Sequence, residues 1–175
     1  MHTCALCDGA FYKDKIIGVV GGSDSAAKEA LLLSEFCSQV TILARSKLHP
    51  EPINGLRVKQ KKNLRVREGV EIREIFGKNF VEGVVLKNGE RIACDGVFVE
   101  VGHLAMTELA QRLGVKLNQK GEIMIDRYSK TNVSGLFGSG DCTDTEWKQG
   151  IVSAAEGAHA ANSAFEYLTE KGLIK

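Results

Sequence analysis

Cys4 and Cys7 stand three residues apart with Asp8 directly after them. Two thiols at that spacing can close a small disulfide ring and exchange it with another dithiol. A carboxyl beside the second sulfur can hand a proton to a leaving thiolate. The same pair could be half of a zinc site, or two incidental thiols. Zinc, however, calls for a second pair at defined spacing, and Cys37, Cys94 and Cys142 are far-apart singletons. No metal is therefore expected. Cys37 and Cys94 fall on apolar patterns and read as small core residues.

The second constellation is Gly21-Gly22-Ser23-Asp24-Ser25-Ala26. Between a strand and a helix, G-x-G-x-x-G/A provides a tight turn, a close backbone approach to a pyrophosphate and close helix–strand packing. The N–H groups opening the helix then face the phosphates. Here the spacing is Gly21-x-Ser23-x-x-Ala26, with serine at the middle position. The alternative is a tight turn in a plain α/β core. About twenty residues on, an acid would hold a ribose 2′-hydroxyl. This chain instead has Leu43-Ala44-Arg45-Ser46-Lys47. Arg45 suits a 2′-phosphate and hence NADP, against the reading of a solvated basic loop. Gly138-Ser139-Gly140-Asp141 places a carboxylate beside a close backbone approach. That suits the hydroxyls of a sugar or ribityl chain, or is an ordinary loop aspartate.

These residues need elements to hold them. Lys15–Val20 reads as a strand buried on both faces. A helix through Ala26, Ala27, Ala30, Leu31 and Leu33 toward Cys37 follows, and then a buried strand at Val40–Leu43. Strand, turn, helix and strand within about thirty residues make a βαβ unit. Pro50 and Pro52 mark a loop. The segment 57–67, with six basic residues, is a helix or a helix and a strand, and reads as a solvated face. Val70–Ile75 alternates as a strand. Lys87-Asn88-Gly89-Glu90 joins Val81–Leu86 to Arg91–Ala93 as a hairpin. Gly96–Gly102 is a further core strand. Beyond it the patterns predict a helix over Thr107–Leu113, strands over Gly121–Asp126 and Val133–Gly140, and a helix from Ile151 to Leu168. That last helix would bury Ala154, Ala155, Ala158, Ala161, Phe165 and Leu168. The class is α/β, a parallel βαβ core carrying an antiparallel β-meander.

Composition narrows the function. Of 175 residues, 43% are hydrophobic, enough for a sizeable core. The 23 Lys+Arg and 22 Asp+Glu nearly cancel, which argues against nucleic acid or a membrane surface as partner. There is no run of eighteen apolar residues and no visible secretory signal. Five cysteines, an odd number, argue against a disulfide scaffold and for a reducing, cytoplasmic setting.

Four motifs occur in order: Cys4-x-x-Cys7-Asp8, Val19-Val20-Gly21-Gly22-x-Asp24-Ser25-Ala26, Gly96-Val97-Phe98-Val99-x-x-Gly102-His103 and Val133-x-Gly135-Leu136-Phe137-x-x-Gly140-Asp141. Together they resemble the low-molecular-weight thioredoxin reductases, over nearly the whole chain. The resemblance implies a Rossmann-like, three-layer FAD/NAD(P)-binding fold. It assigns 1–118 to an NAD(P)H-binding domain with the redox pair, and 119–175 to the C-terminal segment of a second, FAD-binding domain. Cys4 and Cys7 would be the redox disulfide and Asp8 the acid. The 21–26 turn would hold NADPH, with Arg45 on its 2′-phosphate. Gly140, Asp141, Lys148, Gln149 and Gly150 would lie at FAD. Electrons would pass from NADPH through FAD to the disulfide and on to thioredoxin or a similar small dithiol protein, the full-length enzyme being a homodimer. Ser23 and Ser46 depart from the family's glycine and second arginine, and Ala105-Met106 from its Pro-Asn. The family's first FAD-binding half has no counterpart here, so the isolated chain is expected to hold no FAD and to be inactive alone. Two alternatives accompany this reading. One is a shortened nucleotide-binding module without turnover. The other is a related reductase with a different donor or acceptor, such as ferredoxin or a peroxide-reducing partner.

Overall fold

The computed structural model describes every residue except His103 and Lys175, so the His103 position of the third motif lies outside the described residues. Two compact units divide after Gly102.

The first unit is built on the βαβ core. β1 (Ile16–Val20), β2 (Gln39–Leu43), β3 (Leu64–Arg67) and β7 (Gly96–Val99) form a parallel sheet ordered β3-β2-β1-β7. A second, antiparallel sheet holds β4 (Ile72–Phe76), β5 (Gly83–Leu86) and β6 (Arg91–Ala93). The undecided basic segment resolves into both elements: α3 (Pro52–Gln60), with proline in its first turn, and then β3.

Three layers follow from which face each residue buries. Ile17, Val19, Val40, Ile42 and Phe98 pack against Ala26, Ala27, Ala30 and Leu33 of α2 (Asp24–Leu33). On the other side Leu43 and Val97 pack against Val84, Leu86 and Cys94 of the meander. Alanines on the inner face of α2 let the helix lie close to the sheet. Sequence reasoning missed α1 (Ala5–Asp8) and the 3₁₀ turn Gly9–Tyr12 that follows the redox pair. They are too short for a helical period to register.

The second unit is mostly loop. It holds α4 (Glu108–Arg112) and the long α5 (Gly150–Glu170). The strands expected at 121–126 and 133–140 reduce to isolated bridges, Leu117↔Ile123, Ile123↔Thr143 and Lys130↔Phe137. The buried face expected of α5 is also corrected. Ala154, Ala155, Ala158, Ala161 and Phe165 are exposed, and Ser163 is the buried residue. The reason is polar: the Glu156 carboxylate accepts the Gly140 N–H at 2.7 Å, and Ser163 Oγ donates to the Tyr128 carbonyl at 2.8 Å. Those bonds hold the face of α5 that carries Glu156 and Ser163 inward, and Leu168, the last of the expected residues, is half-buried.

Candidate functional site

Cys4 and Cys7 are joined as a disulfide, their Cα atoms 5.4 Å apart. Cys4 is the N-cap of α1, and its Sγ accepts the Cys7 N–H at 3.1 Å. The helix is tied down from two sides. The Ala5 N–H donates to the Glu29 carboxylate of α2. The Asp8 carboxylate meets His2 Nδ1 at 2.9 Å. Burial pushes the Glu29 carboxyl above its usual range, and the Ala5 N–H opposes that rise. Burial and the nearby Asp8 charge push the Tyr12 phenol up. Burial also raises the Cys37 thiol, to about 11, and the Cys94 thiol. Neither is poised as a nucleophile.

A cavity of about 470 Å³ opens at the end of β1. Gly21, Gly22, Ser23, Arg45 and Ser46 line it, together with Glu71 and Glu100. The geometry tells the glycines apart. A Cβ on Gly21 would strike the Glu100 carbonyl and come within 2.9 Å of Ala26 Cβ. A Cβ on Gly22 would find its nearest neighbour at 3.6 Å. Gly21 is therefore the tight-turn glycine, and Ala26 is the small residue it packs on. The loop after β2 is bound to the turn, with the His49 N–H on the Gly22 carbonyl at 2.8 Å.

Asp24 sits at the same turn, but its carboxylate faces α3. It accepts the Glu51 N–H at 2.7 Å and Asn54 Nδ2 at 2.8 Å, and it pairs with Lys28 at 2.9 Å. Bonds from Asn54 and Lys28 hold its carboxyl below the usual range. Ala26 is fully buried. Glu71 and Glu100 are cavity residues that sequence reasoning did not find. Glu100 follows the end of a core strand, where no local pattern marks it. Glu71 is ion-paired with Lys87, which holds its carboxyl below the usual range, with Arg45 adding to the effect.

In the second unit the residues assigned to flavin gather at the start of α5. Gly140 has φ +84°, a left-handed conformation that favours glycine. Asp141 is exposed, with Ser153 Oγ 3.5 Å from its carboxylate. Gln149 is the N-cap of α5 and Gly150 its first residue. Lys148 pairs with Glu122 at 3.0 Å and also donates to the Thr143 carbonyl. A glycine held by φ, an exposed carboxylate and a helix start fit a hydroxylated, anionic group. Among the described residues no cluster of His, Cys, Asp and Glu could hold a metal, and no helix is long and apolar enough to cross a membrane.

Comparison with known proteins fits this geometry. The family model described as pyridine nucleotide-disulphide oxidoreductase matches residues 1–161. An alkyl hydroperoxide reductase subunit of Staphylococcus aureus (strain MRSA252) is 35% identical over 171 residues, which is 94% of this chain and 34% of that protein. The structure of thioredoxin reductase from Streptococcus pyogenes MGAS5005 superposes with a TM-score of 0.87 at 31% identity, over 96% of this chain and 57% of that one. A ferredoxin-flavin thioredoxin reductase from Clostridium acetobutylicum matches with a TM-score of 0.51 at 29% identity, over 96% of this chain and 54% of that one. The chain thus spans about a third of the curated relative and just over half of the reductase chains.

Proposed function

The chain belongs to the pyridine nucleotide-disulphide oxidoreductase family, and from that premise we propose that it is the nucleotide- and dithiol-bearing part of a flavin-dependent reductase of thioredoxin or a similar small dithiol protein, with NADPH as donor. One observation carries this reading. The Cys4–Cys7 disulfide and the Gly21 turn with Arg45 belong to one compact unit, built on one parallel sheet. Gly21 makes the tight turn that would present the 21–26 backbone to a pyrophosphate. The start of α2 offers N–H groups, and Arg45 offers a guanidinium to a 2′-phosphate. Gly140, Asp141, Lys148, Gln149 and Gly150 would hold FAD, which when bound supplies the two-electron relay between nicotinamide and disulfide. Reduction of the Cys4–Cys7 bond takes two electrons and two protons. One thiolate of the reduced pair then attacks the partner's disulfide, and the second closes on the first to expel the partner as a dithiol. Asp8 supplies the proton a leaving sulfur needs. The full-length enzyme is proposed as a homodimer.

A second reading is favoured by the match to the alkyl hydroperoxide reductase: the same pair would reduce a peroxide-reducing partner. Two measurements test the proposal. Calorimetric titration with NADPH and with NADH should show binding with NADPH preferred. The dithiothreitol-reduced, desalted chain should reduce oxidised thioredoxin. Binding of neither nucleotide, or thioredoxin left oxidised, overturns the reading. Transfer to a peroxiredoxin but not to thioredoxin selects the second.

A further inference from the structure

We infer that His2 is a positioning residue and proton reservoir for Asp8, so that Asp8, His2 and Tyr12 form one hydrogen-bonded relay beside the Cys4–Cys7 disulfide. The inference rests on the redox reading of that disulfide. His2 Nδ1 lies 2.9 Å from Asp8 Oδ2, and His2 Nε2 lies 2.8 Å from the Tyr12 hydroxyl. Both ring nitrogens are thus engaged, and the ring cannot turn without breaking both bonds. The imidazole stacks on Phe98 with centroids 5.2 Å apart. The backbone is pinned as well: the His2 N–H donates to the Val97 carbonyl at 2.9 Å, and the His2 carbonyl accepts the Val99 N–H at 2.8 Å. Tyr12 is fixed from behind, because its ring lies so close to Gly96 that a Cβ there would overlap it.

Packing alone would not direct both nitrogens at titratable partners. The side chains of His2 and Asp8 are 27% and 36% exposed, so protons can enter from water. Among the described residues, the other charged or titratable ones lining the same cavity as His2 and Tyr12 are Met1 with its α-amino group, Lys15, Lys78 and Asp95.

The step balances as follows. An incoming thiolate attacks Cys4 Sγ and forms a new S–S bond. The Cys4–Cys7 bond breaks, and its electron pair leaves on Cys7 Sγ. Asp8, the next residue, delivers a proton to that sulfur. His2 imidazolium passes its Nδ1 proton to Asp8, and water restores His2. With His2 neutral the reservoir is empty and Cys7 must leave as a bare thiolate. General acids of this kind contribute on the order of 10²–10⁴-fold.

The test uses the 175-residue chain and dithiothreitol. Opening of the Cys4–Cys7 bond is followed by alkylation and mass mapping, and rates are divided by the fraction of attacking thiolate. Between about pH 5 and 8, where imidazoles titrate, the normalised rate should fall at least about tenfold as pH rises. In His2→Gln, whose amide can still donate to Asp8 but cannot titrate, it should be flat, as it should in Asp8→Asn. A His2→Gln profile that bends like the unaltered chain overturns the inference. A disulfide that dithiothreitol does not open overturns the redox reading and the inference together. One that opens without a bend overturns the inference alone.

Discussion

Glu100 carries a carboxyl that burial, reinforced by the Glu29 charge, pushes up to about 7. An unfolded glutamate titrates near about 4.3, so the folded chain holds this proton more tightly. The stabilisation is complete below the unfolded value and is lost as pH rises through about 7. Glu100→Gln should therefore raise the melting temperature at pH 8 and leave it nearly unchanged at pH 4. Discounted for partial exposure, the gain should be about 1–2 kcal/mol, read by thermal unfolding at the two pH values. Glu100 also lines the cavity at the end of β1, where its charge would oppose the phosphates of the proposed nucleotide. NADPH binding should weaken between pH 6 and 8 in the unaltered chain and be flatter in Glu100→Gln. Arg45 acts in the other direction. Arg45→Ala should cost about tenfold in NADPH affinity, about 1.4 kcal/mol, with little change for NADH; equal losses for both nucleotides would deny it the 2′-phosphate. Gly21 and Gly22 look alike in the sequence but should not behave alike. Gly21→Ala forces the Glu100 carbonyl and Ala26 apart and should destabilise the unit, whereas Gly22→Ala has room and should leave the melting temperature unchanged.

At the scale of elements, Asp24 joins α2 to α3 through Glu51, the buried Asn54 and Lys28. Asp24→Ala should cost about 1–3 kcal/mol, because it strands the Asn54 amide without its acceptor. With the native carboxyl held low, this support is present at neutral pH and is lost as pH falls below the usual carboxylate range; acid unfolding of the native chain and the variant should converge there. The parts of the fold legible in the sequence are those where one local pattern rules. Ile16–Val20 is an unbroken apolar run that reads as a strand buried on both faces, Ala26, Ala27 and Ala30 repeat at helical spacing, and Asn88-Gly89 marks its turn. All three match the observed elements. What was hidden depends on distant partners. Gly138 donates its N–H to the Ser129 carbonyl, so an apolar run shaped like a strand finds no ladder. Alanines in α5 suggested the inward face, but Glu156 and Ser163 hold the bonds that settle it. The site divided in the same way. The redox pair, the Gly21 turn and Arg45 were visible as motifs. His2, Glu29 and Glu100 were not, because each acts on a group that only the folded chain brings near it.

Over the whole molecule, the two units differ in what they bury. The first encloses Ile17, Leu33, Ile42, Leu86 and Phe98 almost completely. Among the described residues, the second encloses Val115 and Ile123, and its other buried side chains are polar: Thr107, Glu122, Ser129, Thr143 and Ser163. It also exposes Leu104, Met106, Leu109, Ile151 and Phe165. Apolar burial contributes about 25 cal/mol per Å², so most of that driving force belongs to the first unit. A polar interior held by hydrogen bonds adds only about 0.5–1.5 kcal/mol net for each bond. Differential scanning calorimetry should accordingly resolve two transitions, the second unit melting first. Among the described residues, all that line the cavity at the end of β1 belong to the first unit, so if NADPH binds there as proposed it should move the upper transition and leave the lower one in place. At a hundredfold excess over its dissociation constant the shift corresponds to about 2.7 kcal/mol. A single transition moving as one on adding NADPH would mean that the second unit draws its stability from the first, and that the polar interior around Glu156 does not fold independently.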